Sequence, residues 1–472
     1  MTKIKFGTDG WRAIIAKDFT TDNVARVTQA TATWLNENFE NPSVVIGHDC
    51  RFAGELFAQT AAIVMAVNGV KVKLAKDFVS TPMISLGANK LKTSLGIIIT
   101  ASHNPPSYNG FKLKGGYGGP LLPLKVQEIE DLIKDENHVE LDTYTVEDFQ
   151  KKGLIEYTDL ESMYVEHVEA NFDLDSIRNS GLELAFDAMF GSGQNVMRRL
   201  FPDITFLHCD YNPSFEGQAP EPIHKNLLEF SETIKMAGNI DCGLAVDGDA
   251  DRIGLYDSKG NFIDSHHIIL LLIHYLVKYK GLKGKVCTAF STTVKIKKMC
   301  KHYGLELEVV KIGFKYICEI MLKEDVLIGG EESGGIAVKG HIPERDGIWM
   351  GMVIWEYMAK SGKSLNELIE EVYEITGKFA FERSDLHLNE EIKNKIVNNC
   401  RNNNYSGFGN YKIERTENLD GYKYFFNDDE WLMIRASGTE PVLRTYAESE
   451  TREKAFEILK TVEKHLLENL TF

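Results

Sequence analysis

A serine hydroxyl follows a short apolar segment in the run Ile97-Ile98-Ile99-Thr100-Ala101-Ser102-His103-Asn104-Pro105. Three β-branched residues are typical of a buried strand, and Pro105 with Pro106 prevents that strand from continuing. Ser102 is therefore expected on a loop just past a strand end, where α/β proteins bind ligands, and there it could act as a nucleophile. Taken alone, the tetrapeptide Ser-His-Asn-Pro is more often an ordinary turn.

A second candidate site is the acidic loop, whose sequence is Asp247-Gly248-Asp249-Ala250-Asp251-Arg252. Carboxylates at alternate positions lie on one side of an extended backbone, and they repel each other unless a cation neutralises them. A hard divalent cation such as Mg²⁺ prefers oxygen ligands of this kind. An EF-hand is excluded, because Arg252 and Ser258 stand where that loop needs Gly and Glu. A solvated acidic turn is the other interpretation, and the apolar strand directly before the loop favours the metal.

Alternating strand and helix patterns must position these loops. Strands separated by helices of this length predict βαβ units and a mainly parallel sheet. The pattern starts three times, and each round closes with a strand that leads into a polar loop. The predicted strands of the three rounds are 43–47, 69–74 and 97–99, then 182–187 and 242–246, then 285–290, 305–310 and 326–330.

The chain has 472 residues, which is too long for one hydrophobic core. We predict three α/β domains over residues 1–150, 151–256 and 257–370, and a smaller α+β domain over residues 371–472. In the last domain, a hairpin is predicted near 421–434 and an amphipathic helix over 451–467.

Composition excludes several classes of partner. With 53 Lys and Arg against 69 Asp and Glu, the formal net charge is -16, which disfavours nucleic acid and anionic membranes. The amino terminus lacks a signal-peptide core, and the most obvious apolar run, 268–273, is too short for a bilayer. Seven scattered cysteines without C-x-x-C spacing favour a reducing cytoplasm. The sequence does not distinguish a monomer from a dimer.

Five motifs stand in a fixed order along the chain. They are Gly7-Thr8-Asp9-Gly10-Trp11-Arg12, Thr100-Ala101-Ser102-His103-Asn104-Pro105, Asp247-Gly248-Asp249-Ala250-Asp251-Arg252, Gly330-Glu331-Glu332-Ser333-Gly334 and Arg435-Ala436-Ser437-Gly438-Thr439-Glu440-Pro441. Together they resemble the α-D-phosphohexomutase superfamily from end to end. The resemblance implies four domains around a central cleft, three of them related α/β units with mixed, mainly parallel sheets.

The resemblance also implies roles for individual residues. Ser102 carries a phosphoryl group, and Mg²⁺ is held against it by Ser102, Asp247, Asp249 and Asp251. Three further residues lie beside the phosphoserine, namely Arg12, His103 and Lys112, and either Lys112 or His103 moves the hydroxyl proton. The implied substrate contacts are Arg252, Lys315, Glu331, Ser333, Arg345, Arg435, Ser437, Gly438 and Thr439. For Arg345, an ordinary surface cation is the other interpretation.

In such an enzyme, the phosphoserine donates to the free hydroxyl of a hexose phosphate, and the resulting bisphosphate turns through a half circle before one phosphoryl group returns. Glu331 and Ser333 are then expected to contact O3 and O4 of the sugar, which lie near the centre of that turn. Residues from Arg435 to Thr439 are expected to hold the phosphate that does not react, through a nest of donors and a bidentate arginine.

The preferred sugar is less clear from sequence. Dual-specificity phosphoglucomutase/phosphomannomutases tend to have His where this chain has Gly335, and a serine where it has Asp9; phosphoglucosamine mutases tend to have Gln where it has Glu332. This pattern is most similar to the phosphoglucomutase branch, which interconverts glucose 1-phosphate and glucose 6-phosphate through glucose 1,6-bisphosphate. Action on mannose 1-phosphate, dual specificity and, with less support, action on glucosamine phosphate stay open, as does a sugar-phosphate binding protein without catalysis.

Overall fold

A computed structural model of the protein describes residues 3–436 and 442–468. Four main sheets follow one another along the chain, and the first three combine parallel strands with helices. This arrangement confirms the predicted α/β class. Among the described residues, no helix combines the length and the apolar character that crossing a bilayer requires.

The first sheet carries the loop of Ser102. Its main strand order is β1-β5-β4-β2-β3-β7, with β6 paired to β5; β4, β2, β3 and β7 are parallel, and β1 and β5 are antiparallel. β4 is buried at every position, as its apolar sequence predicts. The elements are β1 (Trp11–Ile14), α1 (Thr21–Asn38), β2 (Ser43–His48), α2 (Gly54–Val67), β3 (Lys71–Ala75), α3 (Thr81–Lys90), β4 (Leu95–Ile99), β5 (Tyr108–Gly115), β6 (Gly119–Pro120), α4 (Pro123–Asp131), α5 (Val146–Lys151) and β7 (Ile155–Thr158).

The second sheet carries the acidic loop between two antiparallel strands, β10 and β11. Its order is β12-β11-β10-β8-β9, with β10, β8 and β9 parallel. The elements are α6 (Leu160–Asn171), α7 (Leu174–Arg178), β8 (Leu184–Asp187), α8 (Gln194–Leu200), β9 (Thr205–Leu207), α9 (Leu228–Ala237), β10 (Cys242–Val246), β11 (Ile253–Asp257) and β12 (Phe262–Ile263).

The third sheet has the order β14-β13-β15-β16, and the loop of Glu331 joins its antiparallel pair β15 and β16. Its elements are α10 (Ser265–His274), β13 (Lys285–Ala289), α11 (Lys295–Tyr303), β14 (Leu307–Val310), α12 (Phe314–Met321), β15 (Val326–Gly330), β16 (Ile336–Val338), α13 (Gly347–Ser361) and α14 (Leu365–Thr376).

The fourth sheet is antiparallel throughout, in the order β17-β23-β22-β21-β20. The predicted hairpin is β21 with β22, and the predicted closing helix is α16. The elements are β17 (Ala380–His387), α15 (Glu390–Arg401), β18 (Gly407–Phe408), β19 (Tyr411–Lys412), β20 (Arg415–Glu417), β21 (Tyr422–Phe425), β22 (Trp431–Ala436), β23 (Val442–Ser449) and α16 (Arg452–Glu468).

The first sheet extends beyond residue 150, since its edge strand is β7. The predicted boundaries at 150, 256 and 370 otherwise stay predictions. One continuous apolar core joins the second and third sheets and reaches one face of the first, which fixes their loops relative to each other. All seven cysteines are buried and unpaired.

A buried ionic contact joins the first and third sheets beside the cleft. Lys114 Nζ lies 2.6 Å from Glu344 Oε2, and both side chains are fully buried. Ser85 donates to the same carboxylate oxygen at 2.9 Å. Because both charges are shielded from water, losing either one would remove the nearest opposite charge of the other, so the contact fixes the segment around Glu344 against β5.

The interface between the third and fourth domains also encloses charge. Lys423 Nζ lies 3.9 Å from the ring centre of Trp431, and neither carboxylate oxygen of the buried Glu448 has a hydrogen-bond partner among the described residues. Burial raises the pKa of Glu448 to about 7, against the attraction of Lys423 and Lys295. Burial also lowers the pKa of Lys423 to about 8.

We expect Glu448 to make the stability of this interface depend on pH. Its pKa in the folded protein is above its ordinary value of 4.5, so the stabilisation present at low pH is lost as the pH rises from about 4.5 through about 7. Glu448→Gln should remove most of this loss, which is at most about 3 kcal/mol. Thermal unfolding of both proteins at pH 5 and pH 8 measures the effect. Glu450→Gln, at an exposed position just beyond β23, is the matched control and should keep the wild-type pH dependence.

Candidate active site

Ser102 lies on the loop after β4, in left-handed backbone conformation with φ of 52°. Its backbone amide donates to Thr100 Oγ1 at 2.9 Å, and its side chain is almost fully buried. Its Oγ donates to Asp247 Oδ2 at 2.7 Å, and His103 Nδ1 lies 3.3 Å from the same oxygen. A non-glycine residue with positive φ is costly, and such strain occurs mostly at functional sites.

The conformation of this loop is held by Arg51, which sequence reasoning did not identify. Its guanidinium is fully buried and donates to four backbone carbonyl oxygens of one loop, those of Ser102 and Asn104 at 2.6 Å, Pro105 at 2.9 Å and Tyr108 at 3.0 Å. No other side chain offers a planar fork of this kind.

Asp49 completes this support. Its Oδ2 accepts a short hydrogen bond from Thr100 Oγ1 and lies 3.5 Å from Arg51 Nε. Burial raises the pKa of Asp49 to about 6, although Arg51 opposes that change. Asp49 and Arg51 directly follow β2, so the same rule that predicted Ser102, that functional side chains follow strand ends, would have identified both.

The three aspartates of the acidic loop converge on the serine. All are fully buried, and one carboxylate oxygen from each lies within 4.8 Å of the others. Asp247 Oδ1 accepts from the backbone amides of Asp251 and Arg252, at 2.9 and 3.1 Å, which tightens the turn. Burial, together with repulsion from Asp249 and Asp251, raises the pKa of Asp247 well above its ordinary value.

These carboxylates fit a divalent cation. Asp249 Oδ1 and Asp251 Oδ1 are buried and have no hydrogen-bond partner within the described residues. Buried polar atoms rarely lack a partner, and oxygen ligands in this number suit Mg²⁺. Thr81 orients the group, because its Oγ1 donates to Asp249 Oδ2 at 2.5 Å and its amide donates to the Asp249 carbonyl at 3.0 Å. Thr81, at the first turn of α3, is a second residue that the sequence analysis missed.

Lys112 lies on β5, behind the acidic loop. Its Nζ has three carboxylate neighbours, Asp249 at 2.7 Å, Asp9 at 2.8 Å and Asp251 at 3.2 Å. Burial acts to lower the pKa of Lys112, but these carboxylates prevail and raise it above its ordinary value. Lys112 is therefore a fixed cation. Asp9 in turn has a pKa well below the usual range, because four cations surround it and outweigh the effect of burial.

Two further predicted residues lie beside Ser102. Arg12, on β1, donates from Nη1 to Asn104 Oδ1 at 2.5 Å. Burial, together with the charges of Arg252 and Arg12, holds the pKa of His103 well below its ordinary value. His103 is thus a neutral imidazole.

The loop of residues 331–335, which is predicted to contact the sugar and is called the sugar loop below, lies against the acidic loop. Arg252 pairs with Gly335 in an isolated antiparallel bridge, and the Ile253 amide donates to the Gly334 carbonyl at 3.2 Å. Glu331 Oε1 accepts from the Gly313 amide at 2.8 Å, and burial raises the pKa of Glu331 to about 7. Glu332 accepts a short hydrogen bond from Ser291 Oγ.

Three other predicted contacts are Arg252, Lys315 and Ser333. Arg252 Nε lies 4.0 Å from oxygens of both Asp247 and Asp251. Lys315 lines a cavity of about 160 Å³ together with the turn at residues 7–10. Ser333 is partly exposed on the sugar loop.

The predicted phosphate clamp is only partly visible. Arg435 is the penultimate residue of β22 and lies 3.4 Å from Asp420, which also accepts from the Ile312 amide at 2.9 Å. No described residue of the Ser102 pocket contacts Arg435. Ser437, Gly438 and Thr439 lie outside the described residues, so their role stays a prediction.

We expect Arg51→Lys to lower kcat by about 10- to 100-fold, because an ammonium cannot donate to four carbonyls at once and the serine loop loses its fixed geometry. Steady-state kinetics measures this, and KM should change much less than kcat. The control is Arg26→Lys, a buried arginine of the same domain that donates to the Lys134 carbonyl outside the cleft. Equal losses in both variants would show that Arg51 has only a structural role.

Models of known protein families match the chain over most of its length. They are described as phosphoglucomutase/phosphomannomutase α/β/α domains I, II and III, over residues 3–140, 162–260 and 264–375, and as the C-terminal domain of the same proteins, over residues 387–465. The four matches follow the four main sheets in order.

Individual relatives differ in the sugar that their names contain. A phosphoglucomutase/phosphomannomutase of Thermococcus kodakarensis is 30% identical over 460 residues, covering 96% of both chains. A phosphoglucosamine mutase of Methanocaldococcus jannaschii is 30% identical over 425 residues, covering 88% of this chain and 90% of the other. The crystal structure of a candidate phosphomannomutase from Thermus thermophilus is 31% identical, with a TM-score of 0.86, and covers 98% of this chain and 99% of its own.

Proposed function

Because the chain belongs to the phosphoglucomutase/phosphomannomutase family of the α-D-phosphohexomutase superfamily, we propose that it interconverts glucose 1-phosphate and glucose 6-phosphate through a phosphoryl group carried on Ser102. Its homologues are phosphohexomutases, which are isomerases that transfer a phosphoryl group within a sugar. The choice of glucose goes beyond what the homologues share.

The observation that carries the proposal is the approach of Ser102 Oγ to the acidic loop, 2.7 Å from Asp247 Oδ2. A serine hydroxyl is a weak nucleophile by itself, and a phosphoserine is hydrolysed very slowly. The hydroxyl and the phosphoserine can take part in phosphoryl transfer when Ser102 Oγ is surrounded by fixed positive charges and by carboxylates that can hold a cation.

Each side chain then has a defined task. Asp247, Asp249 and Asp251 hold Mg²⁺, which when bound neutralises charge on the transferring phosphoryl group. Lys112 and Arg12 add fixed positive charge around the same group. All the hydrogens of Lys112 Nζ face carboxylates, whereas His103 Nδ1 is 3.3 Å from Ser102 Oγ. We therefore assign to His103 the proton that the acceptor hydroxyl of the sugar loses when it takes the phosphoryl group; His103 passes this proton to Ser102 Oγ, and the reverse transfer occurs when the phosphoryl group returns.

The sugar loop fits a substrate that must bind in two orientations. Glu331 and Ser333 are proposed to hold O3 and O4, while Arg435 and residues 437–439 hold the distal phosphate. Glucose 1,6-bisphosphate is the proposed intermediate, and it also restores any enzyme that has lost its phosphoryl group.

The preference for glucose rests on Asp9, Glu332 and Gly335, the positions where the sequence is most similar to the phosphoglucomutase branch. Mannose phosphate, alone or with glucose, is the first alternative. Glucosamine phosphate is a second candidate, because the Methanocaldococcus relative with that name covers most of the chain.

The test is a coupled assay of purified protein with Mg²⁺ and a trace of glucose 1,6-bisphosphate, using glucose, mannose and glucosamine phosphates side by side. Turnover should be fastest with glucose phosphate. Turnover with another sugar in preference would correct the substrate, and none with any hexose phosphate would refute the mutase assignment for this chain.

A further inference from the structure

Arg345 lies between the acidic loop and the sugar loop. Its Nη2 is 2.7 Å from Asp9 Oδ2 and 2.8 Å from Asp251 Oδ2, and its Nε is 3.4 Å from Glu344 Oε1. The residue is 4% exposed. Arg345 is therefore a buried cation fixed by three carboxylates, which rules out the interpretation as an ordinary surface charge.

The position of Arg345 explains why residue 335 is glycine. A Cβ atom at Gly335 would lie 2.5 Å from Arg345 Cδ and 3.1 Å from Arg345 Cγ. Both are inner atoms of a side chain whose far end is held by ion pairs, so they cannot move without breaking those pairs. Asp9, Gly335 and Arg345 thus form one physical unit, in which Asp9 attracts the guanidinium and Gly335 leaves space for its stem.

This unit has an unused hydrogen-bond donor. Asp9, Asp251 and Glu344 engage Nη2 and Nε, whereas Nη1 has no acceptor among the described residues. Nη1 is also not among the fully buried polar atoms that lack a partner, so part of its surface is accessible to a ligand. An arginine has only donors to offer, so its partner must be an acceptor.

The location of Arg345 indicates which part of the sugar it meets. Consider the orientation in which O1 is the reacting hydroxyl and lies at Ser102 and the acidic loop, while O3 and O4 lie at Glu331 and Ser333. The carbon between these two contacts is then C2. Arg345 spans the same interval, from Asp251 at one end to Gly335 at the other.

We propose that Arg345 is a specificity-determining residue, which donates from Nη1 to a hydroxyl oxygen on C2 of the sugar and thereby selects against sugars with an ammonium group on C2. The proposal rests on the proposed mutase function. It names the substrate class as hexose phosphates whose sugar ring carries hydroxyl groups and no ammonium group. An ammonium group repels the guanidinium, and as a group with only donors it leaves Nη1 unpaired. Sites that pair with a substrate hydroxyl discriminate strongly against analogues that cannot make that bond.

The experiment compares kcat/KM for glucose 6-phosphate, glucosamine 6-phosphate and 2-deoxyglucose 6-phosphate at pH 7, each with Mg²⁺ and a trace of glucose 1,6-bisphosphate. The wild type should favour glucose 6-phosphate over the other two by at least about 100-fold. Arg345→Met keeps an unbranched stem as far as the position of Nε and removes the guanidinium with its charge and donors. It should lower kcat/KM for glucose 6-phosphate and reduce both preferences by at least about 10-fold.

A second variant tests the space beneath Arg345. Gly335→Ala should displace the guanidinium and reduce both sugar preferences in the same way. Because the two changes act on one interaction, the double variant with Arg345→Met should have the same sugar preferences as Arg345→Met alone. The matched control is Gly340→Ala in the exposed turn just after β16, where a Cβ meets nothing within 4 Å although φ is +94°. It should keep the wild-type preference.

The outcomes separate this inference from the function on which it rests. Unchanged sugar preferences in Arg345→Met, with glucose 6-phosphate still converted, would overturn the specificity role and leave the mutase assignment standing. A wild type that prefers glucosamine 6-phosphate would also overturn it. Absence of turnover with every sugar would instead refute the proposed function itself.

Discussion

Ser102→Ala is expected to lower kcat/KM for glucose 1-phosphate by at least about 10⁴-fold, because the variant has no oxygen to carry the phosphoryl group between the two ends of the sugar. The second readout is the intact mass of purified protein. Wild type incubated with glucose 1,6-bisphosphate should gain one phosphoryl group, and the variant should gain none.

Ser102→Gly provides the control for folding. Residue 102 has φ of 52°, a conformation that glycine adopts without the strain of a Cβ. The glycine variant should therefore be at least as stable as the alanine variant, with a free energy of unfolding that is higher by up to about 1 kcal/mol. Both variants should be equally inactive. A variant lacking this oxygen that kept more than a few per cent of activity would show that the phosphoryl group is carried elsewhere.

Asp249→Asn is expected to weaken Mg²⁺ binding by at least about 100-fold, more than the 10- to 100-fold typical of residues that only orient metal ligands. The change keeps the shape of the side chain and removes its charge, leaving Oδ1 as a poorer ligand. Activity should fall with the bound metal and recover in part at high Mg²⁺ concentration. Calorimetric titration of metal-free protein and the Mg²⁺ dependence of kcat measure the two effects.

The matched control is Asp257→Asn. Asp257 is buried in the same domain and accepts from the amides of Lys259 and Asn261, at the turn after β11, away from the serine. It tests whether neutralising a buried aspartate of the second domain is enough to reduce activity. Mg²⁺ binding that is unchanged in Asp249→Asn, or equally weakened in both variants, would contradict the proposed metal site.

Local sequence was enough to predict most of the elements and the reactive loops. The run of isoleucines before Ser102 predicted a buried strand, and β4 lies in the middle of the first sheet as that pattern requires. The alternation of strands and helices predicted the α/β class. These features are local, because strand propensity, proline and apolar period act over a few neighbouring residues.

The same local reasoning failed where a residue acts through a partner far along the chain. The predicted strands leave the segment between residues 99 and 182 without a strand, but Ile155–Thr158 pair with β3 at the edge of the first sheet. The position of Arg51 after a strand end could have marked it as functional, but its task of holding the serine loop could not be predicted, because its four carbonyl acceptors come from residues more than 50 positions later. Pairing across such separations depends on how sheets pack, which no window of sequence contains.

How the predicted residues act together follows only from the folded chain. In the sequence, Asp9 and Gly335 are separate hints about the sugar, and Arg345 is only one of the candidate substrate contacts. Folded, Asp9 and Arg345 form an ion pair 336 positions apart, and Gly335 leaves the space that the arginine stem fills. The sequence contains the charges of Asp9 and Arg345 and the glycine at position 335. Coulomb attraction and packing depend on separation in space, however, so these residues act together only once the folded chain brings them into contact.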